Sequence, residues 1–139
     1  MNDAPDALPA YYPAQILNIG TDLTEVARIR NAIERNGAHF LEKVFTDAEI
    51  VLCEKSANKW QRYAARFAAK EAASKALGTG MGAYFGFKSV SVENGPMGEP
   101  IAVLDETGRR AVAQRGGTRL LVTLSHTADL ACATVVLVK

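Results

Sequence analysis

The chain is poor in cysteine. Cys53 and Cys132 are its 2 thiols, and they form no metal-ligand spacing. That argues against a cysteine-built metal site, and unpaired thiols fit a reduced, cytosolic setting. Excess charge is missing too. A net +1 gives no argument from bulk charge for nucleic acid or a membrane surface as partner. No apolar run is long enough to span a bilayer. The N-terminus lacks the basic region and apolar block of a secretory signal. Proline is scarce and bunched: Pro5, Pro9 and Pro13 lie in the first 14 residues, beside Asp3 and Asp6. Residues 1–14 therefore read as a loose extension. No internal repeat or low-complexity segment appears. What remains, residues 15–139, suits a single domain, and 48% apolar content is enough for a sizeable core.

The strongest signal present is Arg66-Phe67-Ala68-Ala69-Lys70-Glu71-Ala72-Ala73-Ser74-Lys75-Ala76-Leu77-Gly78-Thr79-Gly80. Alanine is the best helix former, and no β-branched residue interrupts the run before Leu77. Gly78 suits the left-handed closure of a helix, and Gly80 keeps the next loop free. The spacing predicts a long helix over residues 59–77. Phe67, Glu71, Ser74, Lys75 and Gly78 then fall along one side. That side carries a ring, a carboxylate, a hydroxyl, an ammonium and bare backbone. A carboxylate able to hold a metal, one turn from a lysine able to hold a phosphate, suggests phosphate chemistry. The plainer reading is a surface i, i+4 pair between Glu71 and Lys75, worth about 0.3 kcal/mol, with Phe67 and the alanines as core.

The remaining chain supplies the frame. Ile16, Leu17 and Ile19 make a short apolar run ending at Gly20, as a buried strand would. Gly20-Thr21-Asp22-Leu23-Thr24-Glu25 joins it to a helix striped by Val26, Ile29 and Ile33 and stopped by Gly37. Phe45-Thr46-Asp47-Ala48-Glu49 carries a capping box, Thr46 with Glu49, opening a helix to about Glu54. Trp60 and Tyr63 read as core rings of the central helix. After Gly82 the period changes. Lys88 to Glu93 alternates as a half-buried strand, Asn94 to Gly98 is a turn, and Ile101 to Leu104 completes a hairpin. A short helix over 106–114 and strands over 120–124 and 131–138 follow, the last two joined by Ser125-His126-Thr127-Ala128-Asp129. The order β-α-α-α-β-β-α-β-β predicts an α+β fold, with three N-terminal helices packed on a mainly antiparallel sheet.

Several residues admit two readings. Asp22 reads as a helix N-cap with Glu25 three residues on, or as a metal ligand at the end of the first strand. His126 reads as an ordinary polar loop residue. Beside Ser125 and Thr127 it also reads as a donor to a phosphate or an adenine ring. Arg28, Arg30 and Arg35 read as a solvated helix face or as a docking surface for an acidic partner.

Ile19-Gly20-Thr21-Asp22-Leu23, Phe45-Thr46-Asp47-Ala48-Glu49, the Arg66–Gly80 run and Ser125-His126-Thr127 together resemble the small bacterial-type 4′-phosphopantetheinyl transferases, the holo-[acyl-carrier-protein] synthases. The resemblance spans roughly residues 16–138, and the N-terminal extension lies outside it. It implies transfer of phosphopantetheine from coenzyme A to a serine of apo acyl carrier protein. Adenosine 3′,5′-bisphosphate leaves, and Mg²⁺ is needed. Asp22 and Glu71 match the metal-ligating carboxylates, and Lys75 matches the lysine that contacts the coenzyme A phosphates. Ser74, Gly78, His126 and Thr127 match positions lining the coenzyme A site, and Arg28 matches a basic position on the carrier-docking helix. The family implies a cytoplasmic homotrimer with coenzyme A held between adjacent protomers, and a place in fatty acid biosynthesis.

Elementary chemistry fits that expectation. Mg²⁺ is usually held by one or two carboxylates plus waters and substrate phosphate oxygens. Phosphoryl-group transfer needs positioning and charge neutralisation more than covalent help. The carrier serine would attack the β-phosphorus in line, its proton passing to Glu71 directly or through a bound water. Two rivals remain open: a non-catalytic coenzyme A or nucleotide-binding module, and a structural trimer in which Asp22 is only a cap.

Overall fold

The structure is a computed structural model that describes residues 15–139. The reading of residues 1–14 as an extension lies outside the described residues. The chain runs β1 (Ile16–Glu25), α1 (Val26–Asn36), α2 (Ala38–Val44), α3 (Asp47–Glu54) and α4 (Lys59–Leu77). It continues through a 3-10 turn (Phe87–Ser89), β2 (Val90–Asn94), β3 (Pro100–Leu104), α5 (Glu106–Gln114), β4 (Arg119–His126) and β5 (Leu130–Val138). The strands form a three-stranded sheet, β1-β5-β4, and a separate β2-β3 hairpin. Among the described residues, every strand pairing is antiparallel. The α+β expectation holds.

Helix α4 lies across the inner face of the three-stranded sheet. Ala68, Ala69, Ala72, Ala73 and Ala76 are buried there against Ala133, Val135 and Leu137. Small side chains let the helix backbone sit close to the strands, and Gly20 marks the tightest crossing. A Cβ on Gly20 would strike the Ala72 carbonyl and come within 2.6 Å of the Ala76 nitrogen. Each fully buried Val or Leu of this layer contributes about 1.5–3 kcal/mol. A second core joins α1, α2, α3 and the first half of α4. Val26, Ile29 and Ile33 bury there with Phe45 and Tyr63, whose rings are 4.9 Å apart.

Glu49 and Lys70 tie the two cores together, and both are completely buried. The capping box forms as expected: Thr46 Oγ1 accepts from the Glu49 nitrogen, and Glu49 Oε1 accepts from the Thr46 nitrogen at 2.9 Å. The same carboxylate also meets Lys70 Nζ at 2.7 Å and accepts from the Val92 nitrogen at 2.7 Å. Lys70 donates further to the carbonyls of Phe87 and Val90, at 2.7 and 2.6 Å. Burial pulls the lysine pKa down, and the Glu49 charge opposes that pull.

Three expectations need correction. The first strand does not stop at Gly20; it runs to Glu25, pairing residue by residue with β5. Nor is it a buried strand, since Ile16 is 68% and Ile19 60% exposed. Its inner face carries Gly20 and Thr24, while Ile19 and Leu23 point outward with Leu121 of β4. A fourth N-terminal helix, α2, stands where three were expected in all. Gly37, at φ 55°, both closes α1 and opens α2. The 7-residue α2 has no side-chain cap to announce it. Of the two rings expected as core, Tyr63 is buried. Trp60 is partly buried and packs on the edge of the second core, lying under Arg30 and Lys59 at 5.4 and 4.7 Å.

Candidate active site

Asp22 is not a cap. It sits within β1 opposite Ala133, and Glu25 occupies the cap position of α1 without a side-chain bond. The backbone reason is direct. The β5 ladder extends past Gly20 and holds residues 21–25 in strand geometry. Asp22 therefore faces inward, toward α4, rather than along the axis of α1.

Across the Gly20 crossing stands Lys75. Its Nζ lies 3.2 Å from Asp22 Oδ1 and donates to the Thr21 carbonyl at 3.0 Å. The Thr24 hydroxyl donates to the other oxygen, Asp22 Oδ2, at 2.7 Å. The Glu71–Lys75 surface pair is thus replaced by an Asp22–Lys75 pair. The aspartate side chain is 17% exposed and the lysine 54%, so the pair is open to solvent on one side. Glu71 is half-buried, one residue before the Ala72 carbonyl that packs on Gly20. Among the described residues, no ion pair or hydrogen bond engages its carboxylate. Asp22 and Lys75 meet at this strand-helix contact, and Glu71 stands one turn before Lys75 on the same helix.

The donor set fits a hard cation held by two carboxylates with substrate oxygens completing it. Asp22 Oδ1 already faces a positive group, and Glu71 is uncommitted. Among the described residues, no three His, Cys, Asp or Glu side chains gather into a fuller metal cage.

The helix ends where the motif predicts. Gly78 is left-handed at φ 71°. Its nitrogen donates to the Lys75 carbonyl and the Thr79 nitrogen to the Ser74 carbonyl, the paired bonds of a Schellman closure. Ser74 itself is buried, and its hydroxyl donates back to the Glu71 carbonyl at 2.7 Å. Arg115, which the sequence reading did not single out, donates from Nε to the Leu77 carbonyl at 2.7 Å. It caps the same helix end from 38 residues away, and no local pattern marks it.

His126 lies at the opposite end of α4. It ends β4 and lines a cavity of about 220 Å³ with Arg62, Arg66, Asn94 and Pro100. Thr127 forms the following turn, its hydroxyl accepting from the nitrogens of Asp129 and Leu130. Arg66 is buried and donates to the Val92 carbonyl at 3.0 Å and to Asn94 Oδ1 at 3.4 Å. Burial lowers its pKa, with nearby Cys53 and Glu49 pulling it back up. From Asn58, beside His126, to Lys75 the helix rises about 25 Å. One chain therefore does not bring His126 and Lys75 together. Arg28 is exposed on α1, its guanidinium 5.3 Å over the Phe67 ring.

Helix α4 thus lies over an antiparallel sheet, with the Asp22–Lys75 pair at its crossing. The family model for the 4′-phosphopantetheinyl transferase superfamily matches residues 18–135. The chain belongs to that family. It is 46% identical over 118 residues to a holo-[acyl-carrier-protein] synthase of Desulforudis audaxviator, covering 85% of this chain and 89% of the relative. Its fold resembles the crystal structure of the Neisseria meningitidis holo-[acyl-carrier-protein] synthase, with a TM-score of 0.83 at 28% identity, covering 90% of this chain and 100% of that one. It also resembles the Helicobacter pylori enzyme of that name, solved in complex with coenzyme A. There the TM-score is 0.74 at 32% identity, over 86% of this chain and 98% of that one. Among the described residues, no helix is long and apolar enough to cross a membrane.

Proposed function

We propose that the chain transfers 4′-phosphopantetheine from coenzyme A to a serine of an apo acyl carrier protein, in fatty acid biosynthesis in the cytoplasm. The observation that carries this reading is the Asp22–Lys75 pair at 3.2 Å, set beside an uncommitted Glu71 in a chain of this family. Asp22 and Glu71 would hold Mg²⁺. When bound, the ion supplies positive charge to the diphosphate of coenzyme A. Lys75 swings from Asp22 toward the diphosphate and offsets charge on the departing adenosine 3′,5′-bisphosphate. Glu71, without a competing partner among the described residues, would take the proton of the attacking serine, directly or through a bound water. Gly78 offers bare backbone beside the phosphates, and Ser74 holds the turn that presents Lys75. Arg28, with Arg30 near it, offers positive charge to an acidic carrier.

The separation of His126 from Lys75 along α4 supports a site shared between copies. One copy's Arg62, Arg66, His126 and Thr127 would receive the adenosine end, and a neighbour's Asp22, Glu71 and Lys75 the diphosphate. The outward face of the sheet supplies a surface for such an assembly, a homotrimer in this reading. Ile19 and Leu23 are 60% and 65% exposed there, with Leu121 at 42%. Apolar side chains grouped on one sheet face mark an interaction surface.

The deciding experiment mixes the protein with coenzyme A, Mg²⁺ and an apo carrier protein, followed by a mass spectrum. A phosphopantetheine mass gain that a chelator abolishes is the expected result. No mass gain under saturating coenzyme A rejects the reading.

A further inference from the structure

Asn58 occupies the N-cap position of α4, a place where asparagine is among the preferred residues. Yet its side chain makes no cap bond. It is turned instead toward two side chains of the cavity. Its Oδ1 accepts from Arg62 Nε at 3.1 Å, and its Nδ2 stands 3.4 Å from His126 Nε2. The chemistry of the three groups settles which atom faces which. An arginine Nε–H can only donate, so the amide oxygen must face Arg62. The amide nitrogen also can only donate, so it must face His126, and Nε2 must accept. A neutral imidazole that accepts at Nε2 carries its proton at Nδ1.

We propose that Asn58 is a positioning residue that holds His126 as the Nδ1–H tautomer and orients the Arg62 fork at the adenosine-end cavity. The imidazole then has one donor left, Nδ1–H, for an anionic or acceptor group of the ligand. Arg62 is anchored through Nε, and among the described residues its two terminal nitrogens have no hydrogen-bond partner. The amide thus spends both its polar atoms on neighbours and leaves their other donors to the cavity. This inference rests on the proposed binding of coenzyme A at His126, but its first readout does not.

Nitrogen NMR of the full chain reads the tautomer directly at a pH where the imidazole is neutral. His39, the chain's other histidine and exposed, serves as reference, and His126→Gln assigns the signals. The unsubstituted protein should show an unprotonated, pyridine-type Nε2 at His126. Asn58→Asp keeps an acceptor for Arg62 but takes the donor from His126, so Nε2 should become protonated. Aspartate caps helices as well as asparagine does, so this variant separates tautomer from helix stability. Asn58→Leu removes both contacts. Its KM for coenzyme A should rise about tenfold, the loss of roughly one good hydrogen bond to a charged group, while kcat holds, as for lost uniform binding. A protonated Nε2 in the unsubstituted protein overturns the proposal. So does an unchanged KM in Asn58→Leu. If the unsubstituted chain turns over no coenzyme A, the proposed function falls, and the nitrogen shifts still decide the tautomer.

Discussion

The Lys75 ammonium reaches Asp22 at 3.2 Å across a contact that the bare backbone of Gly20 permits. The strand, the helix and the candidate site therefore share one steric condition. Alanine at position 20 would drive its methyl into the Ala72 carbonyl and toward the Ala76 nitrogen, both main-chain atoms that cannot step aside. Gly20→Ala should cost about 1–3 kcal/mol as overpacking, or more. It should also lift β1 from α4 and lower turnover beyond what the stability loss explains. Urea denaturation checks the first part. An unchanged midpoint would mean the crossing is looser than the geometry describes.

Removing charge at Glu71 tests the chemistry without moving the fold. Its carboxylate supports no other group among the described residues, so Glu71→Gln should keep the thermal midpoint near that of the parent. Transfer to the carrier should be lost, read by mass spectrometry. Full activity in a folded Glu71→Gln protein would remove both the metal and the base role from this residue.

Arg28 allows a sharper division of labour. It is exposed on α1, over Phe67, and distant in sequence from the Lys75 turn. Arg28→Ala should raise the KM for the carrier several-fold and make it less salt-sensitive, because rim charges chiefly steer encounter. The KM for coenzyme A should stay. The reverse pattern, coenzyme A weakened and carrier untouched, would reassign Arg28 to the nucleotide.

How much of this was legible beforehand follows from sequence distance. Helix α4, its Gly78 closure and the Thr46–Glu49 box are local patterns, and all three stand where the residues placed them. The course of β1 past Gly20 is not local. Thr21, Asp22, Thr24 and Glu25 look like a cap-rich loop until the β5 ladder claims them. Helix α2 is too short for a period to show. The Asn58–His126 contact joins residues 68 apart in sequence, and Arg115 reaches Leu77 across 38. Such contacts belong to the folded topology and leave no trace in spacing.

The buried Glu49–Lys70 pair makes an asymmetric prediction. Each partner alone is costly to remove, because the other stays as an uncompensated charge with no exposure at all. Lys70→Met and Glu49→Gln should each lose about 3–5 kcal/mol. The double variant should lose less than the sum, since the orphaned charge is then gone. Denaturant midpoints for the four proteins give the coupling. Strict additivity would show that the two side chains act independently despite their 2.7 Å separation.

Tyr63 and Glu54 set a pH window that one substitution should erase. The buried Tyr63 hydroxyl donates to Glu54 Oε2 at 2.6 Å. That bond, more than the Lys59 charge, holds the Glu54 carboxyl below its ordinary 4.5. Its stabilising contribution is therefore full above pH 4.5 and drains away as pH falls toward the folded-state value. Tyr63 moves the other way. Burial first, and the Glu54 bond second, push its phenol above the ordinary 10.0. The unfolded chain ionises there while the folded one keeps its proton, so stability falls as pH climbs past 10.0. Tyr63→Phe removes the donor and the phenol together. Between the two limits it should cost about 1 kcal/mol. Subtracting its stability curve from that of the parent cancels every other titrating group. The difference should be widest on the plateau and shrink at both the acid and the alkaline end. A difference that stays flat across that range would show that this hydrogen bond does not couple to proton binding.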